Sequence, residues 1–170
     1  MSNKYFSKKF IGYKVLLLSF AACLAVTALV NAQTVSVNPK LLNGSWSAHW
    51  ITCPDIQARA YGVFHFRKKM MLSEVPEHFI IHVSADNRYH LFVNGQSVGR
   101  GPARSTRYNW NFGTYDLAPY LQNGKNVIAA QVWNMGEYAP VAQLSQETGF
   151  LVQGNDSLSE TANTNTSWTV

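Results

Sequence analysis

Nine acids, five histidines and two cysteines are the side chains of this 170-residue chain from which acid–base, metal or nucleophilic chemistry would have to come. The acids are Asp55, Glu74, Glu77, Asp86, Asp116, Glu137, Glu147, Asp156 and Glu160. Hydrolysis of a glycoside needs two carboxylates facing each other across the scissile bond, and no spacing among these nine singles out such a pair. Asp116 precedes Leu117-Ala118-Pro119 and reads as a turn or capping residue. His49, His65, His78, His82 and His90 lack the close pairing of a zinc site such as H-E-x-x-H. Cys53 is followed by Pro54 and has none of the surroundings of a cysteine nucleophile, so it reads as a structural thiol. A G-x-S-x-G elbow, a phosphate loop and a dinucleotide fingerprint are also missing. The residues nominate no catalytic centre.

Residues suited to binding do lie together. Between Arg100 and Trp110, the guanidinium groups of Arg100, Arg104 and Arg107 alternate with the rings of Tyr108 and Trp110. Such rings cover the apolar faces of sugars, and the arginines would pair with uronate carboxylates. The same mixture suits single-stranded nucleic acid, a partner that the charge of the chain argues against below. A long loop tied to its own scaffold is the competing role, with no ligand at all.

The elements that must carry these residues have a period of two. Residues 62–70 set Phe64, Phe66 and Lys68 against Val63, His65 and Arg67. Phe79, Ile81, Val83 and Ala85 share a face opposite His82 and Ser84. Tyr89, Leu91 and Val93 run into Asn94-Gly95, a two-residue hairpin turn in which both residues tolerate positive φ. Further runs cover residues 114–117, 126–133 and 150–152, with a turn at Asn123-Gly124 and breakers at Pro119 and Pro140. Seven or eight short strands, and no amphipathic helix of ten residues beyond the leader, predict an all-β fold. The expected form is an antiparallel β-sandwich of jelly-roll type.

Charge separates the first 32 residues from the rest. The whole chain has 14 basic and 9 acidic residues, a net charge of +5. Lys4, Lys8, Lys9 and Lys14 precede a mainly apolar run from Val15 to Val30, and Val30-Asn31-Ala32 puts small residues at −3 and −1 of a cleavage before Gln33. This is the pattern of a signal peptide at residues 1–32, with export to the periplasm or the cell exterior and no membrane attachment after cleavage. An uncleaved anchor and a lipoprotein at Cys23 are the alternatives. Beyond the leader, ten basic residues face nine acidic ones. A nearly neutral exported domain is a poor match for nucleic acid. Residues 33–45 read as a linker, 46–154 as the sandwich, and 155–170 as a polar linker ending in the start of a truncated segment at Trp168-Thr169-Val170.

Three stretches resemble a known family. They are residues 84–104, from Ser84-Ala85-Asp86-Asn87-Arg88-Tyr89 through Val93-Asn94-Gly95 to Arg104; residues 114–121; and residues 124–134, ending in Val132-Trp133-Asn134. With Trp46 to Ile51 and Tyr61 to Lys68, they resemble the N-terminal β-sandwich of bacterial α-L-rhamnosidases over residues 46–154. The resemblance implies a non-catalytic, carbohydrate-associated module that packs on an (α/α)6 barrel, the barrel carrying the catalytic acid and base. No catalytic residue carries over to this chain. Some family members bind L-rhamnose through calcium, which would place metal and sugar on Asp86, Asn87 and Asn134, with Pro140 on the same later loop. Oxygen donors on loops suit calcium. Against this, Asp86 and Asn87 also suit a turn, and Arg88 adds a positive charge beside them. No cofactor is required. The expected partner is a rhamnose-containing glycan, held through Asp86, Asn87, Asn134, Arg104, Arg107, Tyr108 and Trp110. A free-standing lectin and a structural module without sugar affinity remain open beside it.

Overall fold

The computed structural model describes residues 35–106 and 108–170. The leader at residues 1–32 and Arg107 lie outside the described residues. A short helix α1 (Pro39–Asn43) is followed by seven strands: β1 (Gly62–Leu72), β2 (Ile80–Ala85), β3 (Arg88–Val93), β4 (Gln96–Gly101), β5 (Gly113–Asp116), β6 (Gly124–Asn134) and β7 (Phe150–Gly154). They form two antiparallel sheets, a four-stranded one in the order β1-β6-β3-β4 and a three-stranded one in the order β5-β2-β7. This is the expected all-β sandwich.

Alternation decides which side of each strand faces the partner sheet. In β1, Phe66, Lys68, Met70 and Leu72 are buried, while His65, Arg67, Lys69 and Met71 are exposed. β6 buries Asn126, Ile128, Ala130, Val132 and Asn134 in step with it. The two inner faces close on Phe66, Phe79, Ile81, Leu91, Ile128 and Phe150, each fully buried. Each such side chain stabilises the fold by about 1.5–3 kcal/mol.

Asn94 and Gly95 take φ of 50° and 81°, closing the β3–β4 hairpin as their types predict. The Asn94 amide also fixes where the hairpin sits. Its Nδ2 donates to Tyr120 O at 2.9 Å and to Asn126 Oδ1 at 2.8 Å, and its Oδ1 accepts the Val127 N–H at 2.9 Å.

β2 departs from the two-faced pattern, because all of its residues from Ile81 to Ala85 are buried. The chain preceding β1 covers its second face. Ile51 pairs with Phe150, Ala48 N–H donates to Gln153 Oε1 at 2.9 Å, and Trp46 and Phe112 lie against the His82 ring at centroid distances of 6.1 and 5.3 Å. His82 therefore packs between Thr114 Oγ1 (2.9 Å) and Asn155 Oδ1 (3.0 Å), and burial pushes its pKa down. His65, by contrast, faces solvent.

The segment expected to be a solvated linker at residues 155–170 instead packs on the sandwich. Ala162, Asn163, Thr164 and Trp168 are buried. Thr164 Oγ1 donates to His49 O at 2.6 Å, and Asn163 Oδ1 accepts the Gly154 N–H at 2.6 Å. The Trp168 indole donates to Asn163 O at 3.0 Å while its ring lies 5.6 Å from that of Phe150. Thr169 then exchanges backbone bonds of 2.8 and 2.9 Å with Arg67 on the edge of β1. Asn, Ser and Thr side chains stand in for the partners that this irregular backbone would otherwise find in water. Polar composition here marks self-sufficiency, not solvation. The stretch before residue 46 is tied down similarly, with Asn38 bonded twice to Asn155 and the Trp46 indole donating to Leu41 O at 3.0 Å.

Candidate functional site

Asp86 and Asn87 form the two-residue crossing from β2 in one sheet to β3 in the other. Both are buried, as is Asn134 at the end of β6. A buried carboxylate requires donors in place of water, and Asp86 has them. Its Oδ2 accepts from Asn87 Nδ2 at 2.8 Å, from Asn134 Nδ2 at 3.3 Å and from the Ser145 hydroxyl. Its Oδ1 accepts the Gln146 N–H at 2.8 Å, and its own N–H donates to Gly149 O at 3.0 Å. Asn134 Nδ2 also reaches Ser145 Oγ and Thr148 Oγ1, both at 3.2 Å. One carboxylate thus fastens the β2–β3 crossing, the end of β6 and the loop before β7.

The structure brings Asp86, Asn87 and Asn134 together, but in an arrangement that does not fit calcium. Both amides turn their NH2 groups toward the carboxylate. Their oxygens are engaged as well, Asn87 Oδ1 with the Met135 N–H at 3.2 Å and Asn134 Oδ1 with the Gly136 N–H at 2.9 Å. Calcium takes six to eight oxygens, whereas an ion placed here would meet hydrogen-bond donors. Arg88 turns to its own scaffold, donating from Nη1 to Pro102 O at 2.6 Å and to Asn87 O at 3.3 Å.

Above this knot lies an open cleft of about 260 Å³, bordered by Trp50, Ile51, Thr52, Asp86, Trp110 and residues 146–149. Trp50 and Trp110 meet edge to face with centroids 5.9 Å apart. Trp50 comes close because residue 149 is glycine, where a Cβ would stand 3.0 Å from the indole. A second hollow of about 310 Å³ shares both indoles and adds Trp46, Ala48, Ser84, Phe112 and Leu151. Acid groups border the first cleft through Asp86 and Glu147, and among the described residues no Lys or Arg lines it. This lining suits a hydroxyl-rich, uncharged ring with one apolar face, and it repels a carboxylate.

The arginine and aromatic loop divides. Trp110 turns into the cleft beside Asp86, held by a loop whose Asn111 accepts from Ser84 Oγ at 2.8 Å and donates to Arg104 O at 2.6 Å. Arg104 is exposed and outside the cleft lining, and Tyr108 is 92% exposed. Trp50, Glu147 and Thr148 are cleft residues that sequence reasoning missed. The legible signal was the pair of tryptophans at 46 and 50 just ahead of the first strand, a costly residue type to leave near solvent. Asp116 behaves as a capping residue, accepting from Phe79 N–H at 2.9 Å and Ala118 N–H at 3.0 Å. It also meets His78 Nδ1 at 2.6 Å.

Residues 75–170 match the family model of the alpha-L-rhamnosidase N-terminal domain. The chain is similar to a GH78 family rhamnosidase of Bacillus sp. GL1, with 28% identity and a TM-score of 0.62 over 72% of this chain and 13% of that one. It also resembles an alpha-L-rhamnosidase from Dictyoglumus thermophilum, with 20% identity and a TM-score of 0.55 over 77% of this chain and 17% of that one, a likeness of fold. The chain therefore spans 13% and 17% of the length of these two enzymes. No curated protein matches it. The matched family model covers more than half of the chain, strands β2 to β7 fall within the matched residues, and the chain belongs to the α-L-rhamnosidase N-terminal domain family.

Proposed function

We propose that this chain is the non-catalytic, sugar-holding N-terminal module of an exported α-L-rhamnosidase-like glycoside hydrolase. Its Trp50 and Trp110 cleft takes a neutral pyranose ring of a rhamnose-containing glycan. The observation that supports this most is two indoles flanking a cleft with a buried, fully bonded carboxylate behind it. A 6-deoxy sugar offers a methyl group and C–H faces to the rings and hydroxyl groups to Glu147 and Thr148. Asp86 spends its oxygens on four loop-fastening donors, a positioning role rather than that of a general acid. Calcium has no part in this reading.

In the full protein the module packs on the catalytic (α/α)6 barrel. The exposed rings of Tyr61 and Tyr138, in contact at 5.4 Å near exposed Val63, supply an apolar patch of the kind that seats a neighbouring domain. Export rests on the leader sequence at residues 1–32. Calorimetric titration of the chain with a rhamnose oligosaccharide tests the sugar site. Binding lost in Trp110→Ala is expected, together with no hydrolysis of rhamnosides. Absence of binding by the wild-type chain would leave the cleft without a sugar role.

A further inference from the structure

The outer face of the four-stranded sheet holds a feature that the cleft does not explain. On β1, His65, Arg67, Lys69 and Met71 point outward and are exposed. Opposite them on β6 stand Gln131, Ala129, Val127 and Lys125. β3 adds Arg88, His90 and Phe92 on the same face, and β4 sets Arg100 opposite His90. Five cations, half of the ten beyond residue 32, therefore share one sheet face, and none of these outward positions is acidic. Among the described residues the one ion pair is His78–Asp116, so none of the five has a carboxylate partner there. Like charges on neighbouring strands are destabilising, and a chain with almost as many acids as bases beyond its leader has no compositional need to collect them.

Arg67, Lys69 and Lys125 border an open groove of about 470 Å³ together with Met71 and Val127. We infer that this groove binds an anionic glycan, a chain of sugar acids whose carboxylates pair with Arg67, Lys69 and Lys125 while its saturated rings lie on Met71 and Val127. Met71 and Val127 offer aliphatic surface to saturated sugar rings, and the adjacent rings of His90 and Phe92 on the same face lie outside the groove lining. None of these residues borders the tryptophan cleft.

Affinity electrophoresis of the whole chain through gels holding polygalacturonate tests the inference, with fully methyl-esterified polymer as the uncharged control. Retardation by the acid polymer alone is expected, weakening as salt shortens the screening length. The Lys69→Glu/Lys125→Glu double variant should bind at least about tenfold more weakly, and Lys69→Gln/Lys125→Gln serves if the first variant melts early. Trp110→Ala should migrate as wild type, so failure of the neutral-sugar reading and failure of this one are separable. The inference is overturned by equal retardation in the ester, by no retardation in the acid polymer, by undiminished binding of a folded double variant, or by equally tight binding of a single-stranded oligonucleotide of matched charge.

Discussion

The Asn134 side-chain amide donates to Asp86 Oδ2 at 3.3 Å, joining the last residue of β6 to the crossing between the two sheets. Both residues are buried, so neither can exchange its partner for water. Asp86→Ala would leave the amides of Asn87 and Asn134 and the Ser145 hydroxyl without their shared acceptor. The expected loss is about 2–4 kcal/mol of stability, read from the midpoint of urea unfolding at unchanged slope. A loss under about 0.5 kcal/mol would mean that the knot does not hold the loops.

The same knot separates the hydrogen-bonded reading of Asp86, Asn87 and Asn134 from the calcium reading. Rhamnoside binding followed by tryptophan fluorescence should survive EDTA, and added calcium should not raise the melting temperature. Trp50→Ala and Trp110→Ala should each weaken binding by about 1–3 kcal/mol. Arg104→Ala and Tyr108→Ala should leave it unchanged, since neither side chain borders the cleft. Sensitivity to EDTA would restore the metal.

Two histidines should give opposite pH responses. The hydrogen bond that the His78 ring donates to Asp116 raises the pKa of exposed His78, so its contribution is complete below the ordinary histidine value and is lost as pH rises through the raised one. Asp116 is held low, burial opposing the shift while bonds from Phe79 N–H and His78 impose it. Its contribution disappears as pH falls through that lowered value. Burial lowers the pKa of His82, so folding is favoured above the ordinary histidine value and weakens as pH falls through the folded one. Ring-proton titrations by NMR should place His78 above and His82 below a free histidine. His82→Gln should flatten the loss of stability in mild acid, whereas His78→Ala should flatten the loss at neutral pH and above.

Trp168 packs against Phe150 in the core, although it lies two residues from Val170. Trp168→Ala should cost about 3–5 kcal/mol, seen as a fall in melting temperature. Limited proteolysis of the wild-type chain should spare residues 155–170, and early cuts there would contradict the packed tail.

Alternation along β1 and β6 and the Asn94-Gly95 turn were legible because each is a local property of backbone and side chain. The second buried face of β2 was not, since it is covered by Trp46, Ala48 and Phe112 from distant parts of the chain. Polar residues 155–170 looked like linker for a related reason. Composition reports the taste of a side chain for hydrogen bonds and cannot say whether water or backbone will supply them.

The sequence by itself determined the sandwich, because strand period and turn chemistry are written locally, while its resemblance to the α-L-rhamnosidase N-terminal domain implied the meeting of Asp86, Asn87 and Asn134. Tertiary structure decided what that meeting is for. It turned two amide groups toward one carboxylate, set Trp50 from before β1 against Trp110 from the loop before β5, and gathered five cations from four strands onto one face. Each of these depends on which distant segments come within a few ångströms, and that follows from the order of strands in the sheets rather than from any one stretch of residues.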